Sequence, residues 1–148
     1  ISIIHIILDI IKLIINFLFL LLIQYSYYIN KMKVIDKYIE PLGITIQFHV
    51  GKNAQDNFDI IENANPNDIW FHIDDNASCH VIGSLPEDTT FGKKQLMYII
   101  KQGAIICKQF SKYKSHKNVS IVYTPIKNVT MTDIIGSVVI QSSKNISI

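Results

Sequence analysis

The chain has 148 residues, which suits one domain with a real core, and its formal net charge of +2 names no partner by itself. Its 14 basic residues are all lysine, so no bidentate guanidinium fork exists and any binding of nucleic acid is expected to be weakly sequence-selective. The two cysteines, Cys79 and Cys107, follow no disulfide or metal-ligand spacing, which argues against a cystine-stapled or zinc-finger scaffold.

Residues 1–31 differ in kind from the rest. The run from Leu13 to Ile29, LIINFLFLLLIQYSYYI, carries no charge and sits at the short end of what a spanning helix needs. Lys31, Lys33 and Lys37 follow it and would set its C-terminal side in the cytoplasm, with Tyr25, Tyr27 and Tyr28 at the interface. Position 1 is Ile and the first methionine is Met32, in a chain rich in Ile, Lys and Asn as AT-rich DNA would give. The segment is therefore read first as upstream sequence translated in frame, and second as a membrane anchor. The domain proper is expected over 32–148.

From there short strands and helices alternate. Residues 44–50 (ITIQFHV) show the period-two pattern of a half-buried strand, ended by Gly51. Residues 54–64 read as a short helix closed by Asn65-Pro66. Residues 68–74 alternate again, with Ile69, Phe71 and Ile73 on one face and Asp68, Trp70, His72 and Asp74 on the other. Residues 79–85 make the next strand, and the turn chemistry of Asp75–Ser78 predicts a hairpin. A long amphipathic helix is expected from about Thr90 to Lys112, its core face running Leu96, Ile99, Ile100, Gly103, Ile106, Cys107 and Phe110. Strands are predicted at 119–124 and 135–141, with a last short one at 145–148. Strands, then a helix, then strands predict a single compact α+β domain, with a mainly antiparallel sheet, one long helix and one short one.

The charges are segregated. Every charge from Asn53 to Asp88 is acidic, and every charge from Thr89 to Thr132 is lysine. Lys94, Lys101 and Lys108 recur every seven residues and form a helix stripe that Lys112 is expected to continue. Such a one-signed block can attract phosphates without regard to sequence. Trp70 and His72 share a strand face, where exposed rings could stack on unpaired bases. A metal-dependent hydrolase using His72, His80 and Asp74 or Asp75 is the enzymatic alternative, although no local ligand spacing supports it. Gly51-Lys52 lacks the remaining elements of a phosphate-binding loop. The Asn-X-Ser/Thr matches at Asn76, Asn118, Asn128 and Asn145 are read as unused, which favours the cytoplasm.

The stretch VGKNAQDNFDIIENANPNDIWFHIDDNASCHVIG resembles the NFACT-R domain family, associated with RNA binding and ribosome-associated quality control. The family's motif is carried by Gly51, Lys52 and Asn53, then Asn57, then Asp68–His72, then Ser78, Cys79 and His80. Two departures stand out: Cys79 replaces the family's Ser before the histidine, and Ile134-Ile135 replace a basic Lys-Pro before Gly136. The resemblance implies a non-catalytic nucleic-acid-binding module, without cofactor or metal. RNA (tRNA or rRNA) is the preferred partner over DNA, and the ribosome is a further candidate. Lys52, Asn53, Asn57, Trp70, His72, Ser78 and His80 would form the family surface, with Lys94, Lys101, Lys108, Lys112 and Lys114 attracting phosphates. The alternative is a membrane-anchored nucleic-acid sensor or protein-interaction adaptor, if residues 1–29 belong to the protein.

Overall fold

The structure, a computed structural model, describes residues 2–148, with side chains described except at 28–32. The chain divides into two units, one ending at Lys31 and the other spanning Met32–Ile148. The first is α1 (Ile3–Lys31), whose most apolar window, within Ile3–Tyr27, has a mean hydropathy of 2.7. By length and composition it could cross a bilayer.

In the second unit, β1 (Met32–Ile39) and β2 (Ile44–Gly51) pair antiparallel around a 3-10 turn at Glu40–Leu42. Gly43 follows at φ +64°, a conformation that costs a glycine little. α2 (Ala54–Glu62) starts where the Asn53 side chain accepts a 2.9 Å hydrogen bond from the Asp56 N–H, a regular N-cap. β3 (Ile69–Ile73) and β4 (Val81–Ser84) form the expected antiparallel pair, with Trp70 opposite Ile82. α3 (Lys93–Gln109) is shorter than predicted, and the chain leaves it at Phe110. Lys112 and Lys114 therefore lie in the following turn and do not extend the helical stripe.

β5 (Ser120–Pro125) and β8 (Lys144–Ser147) complete a six-stranded antiparallel sheet in the order β1-β2-β4-β3-β5-β8. β6 (Val129–Met131) and β7 (Val138–Ile140) pair separately as a two-stranded ribbon. The domain is α+β. β1 and β6 lie outside the expected strands, and the strand predicted over 135–141 is confined to Val138–Ile140.

Both faces of the sheet's centre are covered. On one, α3 packs Ile99, Ile100, Ala104, Ile106 and Cys107 against Ile46, Phe48, Phe71, Val81 and Ile121. Gly103 makes that approach possible, since a Cβ there would lie 2.2 Å from Phe71 Cζ. On the other, Ile60 and Ile61 of α2 meet Trp70, Ile82 and Ile126, flanked by Val129, Met131, Val138 and Ile140. The alternation along 68–74 is thus as expected, but its second face is not open. Trp70 is 1% exposed. It cannot serve as a stacking platform for bases, because α2 and the ribbon cover it. Burying a side chain of that size contributes roughly 2–3 kcal/mol or more to stability.

Candidate nucleic-acid interface

A cavity of about 890 Å³ opens where the end of β2, the start of α2, the turn before β4 and the β6–β7 tip converge. Lys52, Asn53, Asn57, His72, Ser78 and His80 all line it, so six of the predicted motif residues come together in space. Lys33, Phe110 and Ile135 line it too, and none of these stood among the predicted site residues. Lys33 arrives because β1 pairs with β2 in a register that sets it opposite Val50, one residue before Gly51. Its Nζ sits 4.3 Å from the centroid of the Phe110 ring, a cation–π contact that orders the ammonium at the rim.

The frame of the cavity is held by backbone bonds to the motif. Asn57 is buried, and its Oδ1 accepts from the His80 N–H at 3.0 Å, while the His80 carbonyl accepts from the Gly51 N–H at 3.0 Å. Any Cβ at residue 51 would lie 2.1 Å from Asn57 Oδ1, so only glycine lets these segments close. Ser78 Oγ accepts from the Ile73 N–H at 3.1 Å and donates to the Cys79 carbonyl at 3.1 Å. Asp68, the first residue of the Asp-Ile-Trp-Phe-His motif, accepts from the Asn65 and Leu85 N–H groups, both at 2.8 Å. Asn57 and Ser78 are therefore positioning residues, with their oxygens engaged in holding the fold.

Three rings form the wall behind. The Trp70 indole stacks on His72 with centroids 5.4 Å apart, and His80 stands edge-on to both, 5.2 Å from Trp70 and 5.1 Å from His72. Burial pushes the His80 pKa down to about 3, helped by the neighbouring His72. Burial lowers His72 as well, against a hydrogen bond to the Ile73 backbone and the field of Asp74. Both imidazoles are neutral at pH 7 and offer hydrogen bonds, not charge. Cys79, also in the lining, has its pKa lowered by a hydrogen bond with Cys107, against the effect of burial, and Cys107 is raised correspondingly.

The lysine block sits elsewhere. Lys94, Lys101, Lys112 and Lys114 are exposed and do not line the cavity, and Lys108 Nζ donates to the Ile148 main-chain oxygen at 3.2 Å. Lys112 Nζ lies 5.3 Å from the Tyr113 ring centroid. The hydrolase alternative finds no support in the ligand set: no group of three His, Cys, Asp or Glu that could hold a metal occurs among the described residues. Asp74 turns away to accept from Ser120 Oγ and Asn145 Nδ2.

Residues 43–144 match the family described as NFACT protein RNA binding domain. Coiled-coil domain-containing protein 25 of Danio rerio is 37% identical over 89 residues, covering 57% of this chain and 41% of that protein. The Dictyostelium discoideum homolog is 32% identical over 103 residues, covering 65% and 45%. The chain thus spans less than half the length of these relatives. Among solved structures, the C-terminal part of a fibronectin/fibrinogen-binding protein from Streptococcus suis superposes with a TM-score of 0.60. That match covers 70% of this chain and 41% of the other at 21% identity, a likeness of fold alone. The motif residues gathered around one cavity and the family match over most of the domain agree: this chain belongs to the NFACT protein RNA binding domain family.

Proposed function

We propose that the Met32–Ile148 unit is a non-catalytic module that binds RNA, tRNA or rRNA in preference to DNA, through the cavity between β2, α2 and the β6–β7 tip. The observation that carries this reading is the charge of the lining. Lys33 and Lys52 enter it, and among the described residues no carboxylate does. Asp56 Oδ2 accepts from the Lys52 N–H at 3.3 Å, and Asp68 holds two further N–H groups. A concave site whose described lining carries lysines and no carboxylate attracts phosphates, and its affinity falls steeply with salt. On this reading the module acts as an adaptor, with ribosome-associated quality control as its setting and the ribosome as a further partner.

The test is fluorescence anisotropy of a labelled single-stranded RNA against the full chain in neutral detergent, at low and high salt. Binding that weakens with salt, and weakens again in the Lys33→Glu, Lys52→Glu double variant, is expected. RNA binding indifferent to both would overturn the assignment.

A second reading rests on α1. Its length and apolar composition favour a membrane anchor that displays the domain at a cytoplasmic surface as a nucleic-acid sensor or protein-interaction adaptor. Alkaline carbonate extraction of native membranes tests it. Release into the soluble fraction counts against an anchor.

A further inference from the structure

The cavity separates two kinds of polar group. Charge enters at Lys33 and Lys52, whereas His72 and His80 present neutral imidazole edges. His80 is 2% exposed, and its Nδ1 is buried without a hydrogen-bond partner among the described residues, an arrangement that costs free energy. Trp70, stacked on His72 and edge-on to His80, holds both rings in place from the core side.

The β6–β7 tip adds an apolar element. Ile134 and Ile135 are 73% and 57% exposed, and Ile135 lines the cavity. Gly136, at φ +85°, turns the chain there, and a Cβ on it would lie 2.8 Å from Ala54 Cβ. The tip is therefore seated closely on the start of α2, so Ile135 has a defined position. Aliphatic surface, neutral hydrogen-bonding edges and separate ammonium groups are together the complement of a nucleotide. Its base has flat apolar faces and a neutral polar edge, and its phosphate is anionic. A base inside a duplex offers neither, because its faces are stacked and its pairing edge is occupied. The volume is in the range of small-ligand sites, room for one or two nucleotides and not for a helix.

We propose that this cavity takes one unpaired nucleotide of an RNA strand, the base against His72, His80 and Ile135 and the adjoining phosphates on Lys33 and Lys52. The inference rests on the RNA-binding reading above and narrows it to recognition of a splayed or terminal nucleotide.

The test compares a blunt RNA duplex with the same duplex carrying one unpaired 3′ nucleotide, by anisotropy with the full chain in neutral detergent. The overhang is expected to bind about tenfold more tightly, the scale of one base contact. Ile135→Ser, at an exposed tip position, is expected to abolish most of that difference. Imidazole resonances of His72 and His80 should shift when adenosine monophosphate is added, and His72→Ala should remove the overhang preference. Equal affinity for the two duplexes, with salt-sensitive binding intact, would overturn the nucleotide pocket and leave the RNA-binding reading standing. No binding of either duplex or of single-stranded RNA would overturn both.

Discussion

The Trp70 indole and the His72 imidazole lie within 4° of parallel, centroids 5.4 Å apart, with Trp70 sealed in the core and His72 lining the cavity. The tryptophan therefore acts on the site from behind. It sets the plane of the ring that a ligand would meet, and it ties the stability of the second core to the shape of the cavity.

That arrangement predicts a shielded fluorophore. Trp70 is the chain's single tryptophan, so its emission should be blue-shifted and insensitive to acrylamide. RNA should change it little, through His72 and not by direct stacking. Trp70→Ala should cost about 3–5 kcal/mol, read as a lower denaturation midpoint. Strong quenching by acrylamide in the folded protein would contradict the burial.

Acid should destabilise the domain through the same ring cluster. The folded His80 pKa of about 3 lies below the unfolded value near 6.5, so the unfolded chain takes up the proton first. Stability is complete above pH ~6.5 and declines as pH falls toward 3, by about 2 kcal/mol at pH 5 from His80 alone. His72, also lowered, acts in the same direction. Urea midpoints at pH 7.5 and pH 5 measure this, and His80→Phe should flatten the difference. A midpoint unchanged between the two pH values in the unsubstituted chain would contradict the assignment.

What could be read from sequence was what is local. β2 and β3 show their period in their own side chains, and α3 shows its buried face as a three-and-four spacing. β1 was illegible because it is an edge strand: Ile35 and Ile39 turn to the core but alternate with Lys33 and Lys37, and Val34, Asp36 and Tyr38 on the other face are exposed, so no apolar face stands out. The burial of Trp70 was illegible for a different reason. Alternation assigns residues to two faces, but whether each face is covered depends on α2 and the ribbon, which pack there through distant contacts. Lys33 entered the site through strand pairing, a relation that no motif spans. The motif itself was legible as a set of residues and not as roles. Asn53, Asn57 and Ser78 hold backbone with a side-chain oxygen, while Lys52 and His72 line the cavity.

Gly51 should tolerate no side chain. Gly51→Ala would press a Cβ onto Asn57 Oδ1 and break the bond that positions His80. A loss of about 1–3 kcal/mol is expected, the cost of leaving the buried His80 N–H unsatisfied. Asn57→Ala removes the Oδ1 clash together with the acceptor, so the double variant should be less destabilised than the sum of the singles. Additive losses would show that residues 51 and 57 do not share this contact.

The Met32–Ile148 unit should fold without α1. It holds the sheet, both apolar clusters and every residue of the candidate site. A fragment beginning at Met32 should give one cooperative thermal transition and dispersed amide resonances. Its RNA affinity should match the full chain within about twofold, since the described lining of the cavity belongs to this unit. Absence of a cooperative transition would mean that the domain depends on the preceding helix.

The two lysine sets should separate by ligand length. Lys33 and Lys52 line the cavity, whereas Lys94 and Lys101 project from α3 without entering it. At physiological salt a charge acts over about 8 Å, so the α3 lysines should barely influence a strand short enough to fill only the cavity. For an oligonucleotide of about four residues, Lys94→Glu and Lys101→Glu should change affinity less than about twofold, while Lys33→Glu weakens it severalfold. For a long strand that runs on over the surface, each α3 substitution should lower the salt slope by about 1. Equal sensitivity of the short strand to both sets would place the binding site on α3 and not in the cavity.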